Sequence, residues 1–146
     1  MVLAVVGLII AAGIPYFLVY LRNAVLTGGV QEVRDALTRA KQLAITTRQC
    51  ICVEVASDTT YRFRQGAAAA PCAVAVCNGT AWTGVGTDAS GYLRLENRVR
   101  ISNGGVSPIF TLFGTAPPGP AIFTVTAPSG ATRTVTVTGG GRISSP

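Results

Sequence analysis

Four cysteines and a scatter of arginines are the side chains of this 146-residue chain whose types and spacing suggest chemistry. The cysteines are Cys50, Cys52, Cys72 and Cys77, and the chain has no histidine. CxC followed by CxxxxC is not a usual zinc-ligand spacing, and without His the mixed Cys/His zinc sets cannot form. Disulfides made outside the cytoplasm are the better reading of an even cysteine count. Cys50 and Cys52 sit two apart, so on a strand both point to one face, and parallel side chains are poorly placed to bond each other. Two connectivities stay open. Cys72 and Cys77 close a small loop, or each of Cys50 and Cys52 meets one of Cys72 and Cys77. Buried free thiols are the bland alternative, uncommon in an exported domain.

Catalysis finds little support. Without His there is no Ser-His-Asp and no Cys-His arrangement. Glu32, Asp35, Glu54, Asp58, Asp88 and Glu96 form no motif, and the sole lysine, Lys41, falls in a helical segment. The glycines make neither a phosphate loop nor a dinucleotide fingerprint. No enzymatic activity, catalytic residue, cofactor or metal is therefore predicted. Arg94, Arg98 and Arg100 line one strand face, Arg62 and Arg64 another, and Arg133 and Arg142 lie near the C-terminus. A row of this kind can track phosphates on DNA. No aromatics interleave with it, so a solvated strand face is the plainer reading. The net charge of +6 is spread along the chain, which makes a mildly basic surface rather than a nucleic-acid-binding tract. Asn78-Gly79-Thr80 matches a glycosylation sequon, a tripeptide frequent by chance.

The elements that must position these residues begin with Met1 to Leu21, MVLAVVGLIIAAGIPYFLVYL, which contains no charge. A bilayer span needs ~20 apolar residues, and this run suffices. No Lys or Arg precedes it, and it is longer than the apolar core of a cleaved signal peptide, so a retained anchor is expected. The positive-inside rule would put Arg22 in the cytoplasm, whereas the cysteines argue that the following domain is outside. Val30, Val33, Leu37, Ala40 and Ala44 then repeat at three-four spacing, the stripe of an amphipathic helix over about Val30 to Arg48. Asp35 and Arg39 sit four apart and can pair. If the two helical stretches are continuous, they span ~70 Å. Pro15 is expected to kink or open such a helix, and Thr27-Gly28-Gly29 to weaken it.

After Gln49 the period becomes two. ICVEV and TYRFR flank Ser57-Asp58 as a hairpin, with Tyr61 and Phe63 facing one way and Arg62 and Arg64 the other. CAVAVC reads as a short strand, and NGTAWTGVGTDASG as a loop anchored by Trp82. Leu93, Leu95, Val99 and Ile101 alternate with Arg94, Glu96, Arg98 and Arg100 as one half-buried strand. IFTLFG is a further short strand, and APPGP a rigid break. AIFTVT and TRTVTV flank Pro128-Ser129-Gly130, with Pro at the second and Gly at the fourth turn position. The expected fold is α+β: a long N-terminal α-helix, apolar half then amphipathic half, packed on a C-terminal antiparallel β domain. The organisation is 1–27 apolar half, 28–48 amphipathic half and 49–146 globular β domain. Packing on the helix and one or two disulfides would stabilise a β domain this small.

VLAVVGLIIAAGIP, running into an amphipathic helix, resembles the N-terminal helix of type IV pilins and type II secretion pseudopilins. The spacing of Gly7, Ala11-Ala12 and Pro15 carries the resemblance. RDALTRAKQLAITTRQ looks like the helix end of the GspH/FimT branch, and TRTVTVTGGGRIS like its final strand and Gly-Arg tail. The family's processing motif, a glycine followed by Phe-Thr-Leu-x-Glu, would fall before Met1. Either the start is placed too late or the subunit is processed unusually. The resemblance implies a pilin-like fold. It also implies a structural subunit extracted from the bacterial inner membrane into a helical filament of pilin or pseudopilin subunits, with its β domain outside the cytoplasm. Gly7, Ala11, Ala12 and Gly13 would allow close helix approach, and an opening at Pro15 would let subunits stack. A DNA-binding minor pilin is one alternative, with Arg133 and Arg142 as candidate contacts; in FimT-type proteins a Gly-Arg-x-Arg tail contributes to binding, and Gly141-Arg142-Ile143-Ser144 retains only its first Arg. A membrane-anchored exported β domain that does not polymerise is the other.

Overall fold

The computed structural model describes residues 2–66, 72, 77–117 and 119–146, with side chains described from residue 17 onward. Among the described residues one helix, α1 (Val2–Thr47), is followed by nine strands: β1 (Ile51–Val55), β2 (Thr60–Gln65), β3 (Thr80–Ala81), β4 (Tyr92–Arg94), β5 (Arg100–Ser102), β6 (Ile109–Phe110), β7 (Ala121–Thr126), β8 (Thr132–Val137) and β9 (Ile143–Ser144). The CAVAVC segment lies, apart from Cys72 and Cys77, outside the described residues.

The helix is unbroken over its 46 residues, ~69 Å at 1.5 Å per residue. The expected interruptions at Pro15 and at Thr27-Gly28-Gly29 do not end it. A proline removes a single backbone donor, and in a long helix the surrounding bonds still propagate. The glycine pair is held by the β domain, as described below. Leu26, Val30, Val33, Leu37, Ala40 and Ala44 are buried at alternating spacings of four and three, one apolar stripe turned to the sheets. Past the last turn Arg48 takes a left-handed backbone, φ 54°, which swings the chain off the helix into β1.

Two antiparallel sheets receive that stripe. The first has the order β3-β2-β1-β6 with β4 also on β2; the second runs β5-β7-β8-β9. The β1–β2 hairpin pairs Val53 with Phe63 and Val55 with Tyr61, so the period-two pattern puts Phe63 and Tyr61 into the core and Arg62 and Arg64 outside. The β7–β8 hairpin closes through Gly130 N–H to the Ala127 carbonyl at 2.9 Å, with Pro128 second, Gly130 fourth and Gly130 at φ 84°. Phe63, Phe110, Phe123, Leu37, Ile51, Val99, Val125, Val135 and Val137 form the fully buried centre.

Two expected strands differ. Leu93 to Ile101 is not one strand but β4 and β5, which lie in different sheets. Leu95, Val99 and Ile101 are still buried, but Arg98 adopts φ 54°, and this left-handed residue carries the chain across from one sheet to the other. IFTLFG contributes only Ile109–Phe110. Thr111 to Gly114 is a turn closed by Gly114 N–H to the Thr111 carbonyl at 2.8 Å, and it leaves Phe113 exposed.

Candidate assembly helix and its seat on the β domain

The functional candidate is the helix, whose surroundings change along its described side chains. Phe17, Leu18, Val19, Tyr20 and Leu21 are all exposed. Exposure continues through Ala24, and burial begins at Leu26. A helix that is hydrophobic all round needs an apolar environment to cover it. Gly7, Ala11, Ala12, Gly13 and Pro15 lie within α1, and their side-chain surroundings fall outside the described residues. Among the described residues no helix is long and apolar enough to cross a membrane.

The β domain grips the helix at two ends. At the lower end, just past the exposed Phe17–Ala24 stretch, the β4–β5 crossover fits onto Gly28 and Gly29. A Cβ on Gly29 would stand 2.5 Å from Val99 Cγ1, and one on Gly28 3.2 Å from Asn97 Oδ1. Glu32, one turn on, accepts from the Glu96 backbone N–H at 2.9 Å and from Asn97 Nδ2 at 3.0 Å. At the upper end Lys41 Nζ donates to the Gly141 carbonyl at 3.0 Å. There the Ala116 N–H donates to the Gly139 carbonyl, and a Cβ on Gly141 would overlap the Gly114 carbonyl oxygen. The two grips are ~18 Å apart along the helix. Between them Arg39 leaves Asp35, which instead accepts from Gln31 Nε2 at 3.0 Å. Arg39 lies over the Trp82 ring at 5.1 Å and donates to the Val85 carbonyl at 2.7 Å. The expected Asp35–Arg39 pair therefore does not form.

The cysteines join as Cys50–Cys72 and Cys52–Cys77, each with Cα atoms 5.6 Å apart. Cys50, just before β1, and Cys52, within it, point to the outer face of the first sheet, where they bury with Ile109. On the same face Glu54 accepts from Arg62 Nε and Arg64 Nε. The hydrogen bond from Arg62, reinforced by Arg64 and opposed by partial burial, holds the Glu54 carboxyl down at about 2.

Arg133 and Arg142 are not brought together. Arg142 sits beside the Val137–Ile143 pair at the upper end of β8, whereas Arg133 is at its start, ~15 Å away along the strand.

No family model and no curated relative matches the chain. Solved structures do. The type IV minor pilin FimU of Pseudomonas aeruginosa, in two crystal forms, gives TM-scores of 0.57 and 0.56 at 15% and 16% identity. The match covers 83% of this chain and 87% and 92% of those chains. The minor pseudopilin EpsH of the type 2 secretion system of Vibrio cholerae gives 0.54 at 15% identity, over 83% of this chain and 95% of that one. The chain has a pilin-like fold. At these identities the likeness concerns architecture: one long helix packed on a C-terminal antiparallel β domain.

Several features of this pilin-like chain were beyond sequence reasoning. Strands β3 and β9 are two residues each, too short for periodicity to register. The Gly28-Gly29 notch had a signal, two adjacent glycines inside a helical pattern, which marks a close packing partner as readily as a break. Glu32 and Lys41 reach residues far away in the sequence, and nothing local announces that.

Proposed function

We propose that the chain is a structural pilin-like subunit of a type IV pilus or type II secretion pseudopilus, assembling through its apolar N-terminal helix. One observation carries the reading: a single helix whose Leu26–Ala44 stripe is buried on the β domain while Phe17, Leu18, Val19, Tyr20 and Leu21 before it are exposed. Physically, 1–27 is a transferable half, 28–48 a seat, and 49–146 the domain presented outside. In the bacterial inner membrane lipid covers the transferable half. In a filament the corresponding helices of other pilin or pseudopilin subunits cover it instead, with Gly7, Ala11, Ala12 and Gly13 permitting close approach. Two disulfides favour an oxidising location for the β domain.

The DNA-binding alternative is less favoured, because Arg133 and Arg142 stand at opposite ends of β8 and offer no joint phosphate site. Fractionation of cells producing the full chain tests the membrane stage. The chain is expected to stay with membranes through alkaline carbonate extraction. Release into the soluble fraction would contradict the reading.

A further inference from the structure

The lower end of the β domain collects unpaired arginines around the point where the helix emerges. Three connections meet there. Asn97 and Val99 of the β4–β5 crossover touch Gly28 and Gly29. The β1–β2 turn is tied to that crossover through the Thr59 carbonyl to Leu95 N–H at 3.0 Å and the Asp58 carbonyl to Ile101 N–H at 2.7 Å. Arg100 pairs in register with Thr126, at the mouth of the β7–β8 turn. Arg94, Arg98 and Arg100 line one open groove of about 720 Å³ with Thr59 and Glu96. Arg98 and Arg100 also line a second groove, with Thr126 and Pro128. Arg133 lies next to that turn on β8, and Arg22 is on the helix just outside the domain.

The charges at this end are unequal. Asp58 is taken by Arg100 at 3.3 Å. Glu32 is taken by the crossover's Glu96 N–H and Asn97 Nδ2. Among the described residues the guanidinium groups of Arg22, Arg94, Arg98 and Arg133 have no partner, and the Glu96 carboxylate is the acid left to face them. Arg94 ends β4, and the crossover that follows and bears Arg98 is pinned by backbone bonds on both sides. Both guanidinium groups are therefore presented by a rigid frame, and a guanidinium matches the geometry of a phosphate.

The spacing to the apolar run identifies the phosphate source. Leu21 closes the uncharged segment, and Gly28 follows ~10 Å further along the helix. The polar layer of a bilayer extends ~5–8 Å beyond its hydrocarbon core on each side. Arginine side chains at the level of Gly28 reach across the difference. We infer that Arg22, Arg94, Arg98 and Arg133 form a headgroup-facing collar that binds anionic phospholipid and sets the domain upright on the membrane before assembly. The inference rests on the reading that Met1–Leu21 spans the bilayer.

The test uses the full chain reconstituted in vesicles of phosphatidylcholine alone and of phosphatidylcholine with 30% phosphatidylglycerol. Flotation first reports insertion; hydrogen exchange then reads residues 94–100 and 127–130. The expected result is flotation with both vesicles and exchange slowed at least threefold on the anionic ones only. The slowing should disappear in 0.5 M salt and in an Arg94→Gln/Arg98→Asn variant, and persist in Arg142→Gln at the far end. Asn tolerates the left-handed backbone at position 98, so the variant keeps its fold, which retention of both disulfides confirms. Flotation with equal exchange on both vesicles, or slowing that survives Arg94→Gln/Arg98→Asn, overturns the collar alone. Failure to float with either vesicle overturns the membrane reading and the collar with it.

Discussion

Gly29 of α1 lies directly against Val99 of the β4–β5 crossover, so close that a Cβ on the glycine would stand 2.5 Å from Val99 Cγ1 and 2.7 Å from Cγ2. Val99 is fully buried. Glycine at this place is therefore a packing surface rather than a weak point in the helix. It lets the crossover that switches between the two sheets rest on the helix backbone itself, and Glu32 one turn later fixes that crossover by its backbone.

The glycine pair should respond unequally to alanine. Alanine raises intrinsic helix propensity by ~1 kcal/mol at either position. At Gly29 overpacking against a buried valine outweighs this, and Gly29→Ala should lower stability by ~1–3 kcal/mol. At Gly28 the neighbour is the end of the Asn97 side chain, at 3.2 Å, which can move, so Gly28→Ala should be close to neutral. Denaturant unfolding of the two variants checks the contrast. A Gly29→Ala/Val99→Ala double mutant should show non-additivity.

Glu54 should give the domain part of its resistance to acid. Its carboxyl is held at about 2 in the folded state by Arg62 first and Arg64 with it, against an ordinary value of ~4.3 in the unfolded chain. A depressed folded value means the stabilisation is present in full above the unfolded value and is lost as pH falls through about 2. The site is partly exposed, so solvent screening limits the contribution to roughly 1 kcal/mol. Glu54→Gln should lower stability by that amount at pH 7 and flatten the stability profile between pH ~4.5 and ~2. Thermal unfolding across that range measures it.

The two disulfides should each stabilise the domain by ~3 kcal/mol, given loops of 22 and 25 residues. Peptide mapping without reduction should recover Cys50 with Cys72 and Cys52 with Cys77. Replacing one pair by Ser should lower the midpoint of unfolding, and replacing both should lower it further. Recovery of a Cys72–Cys77 peptide would contradict the arrangement.

Legibility in the sequence followed the range of the interactions. The helix stripe from Val30 to Ala44 and the β1–β2 and β7–β8 hairpins were readable, because period and turn chemistry are local. The split of Leu93–Ile101 into β4 and β5 was not. Its apolar alternation persists through the crossover, and the left-handed residue that redirects the chain is an arginine rather than a glycine. The cysteine spacing disfavoured a Cys50–Cys52 bond but left a Cys72–Cys77 loop open; the choice is made by the fold bringing residues 72 and 77 over the outer face of β1. Arg39 was read as an Asp35 partner from spacing alone, whereas Trp82, distant in sequence, supplies the better contact.

On the proposed reading, the apolar half of α1 exchanges lipid for the helices of neighbouring subunits. Cross-linking in the cells that make the protein tests it most directly, with Gly7→Cys in one copy and Ala11→Cys in another. Dimers and a ladder of higher products are expected under oxidation, lost when Ala12→Arg places a charge within the same apolar run. A full-length, membrane-held chain that yields monomer alone would contradict it.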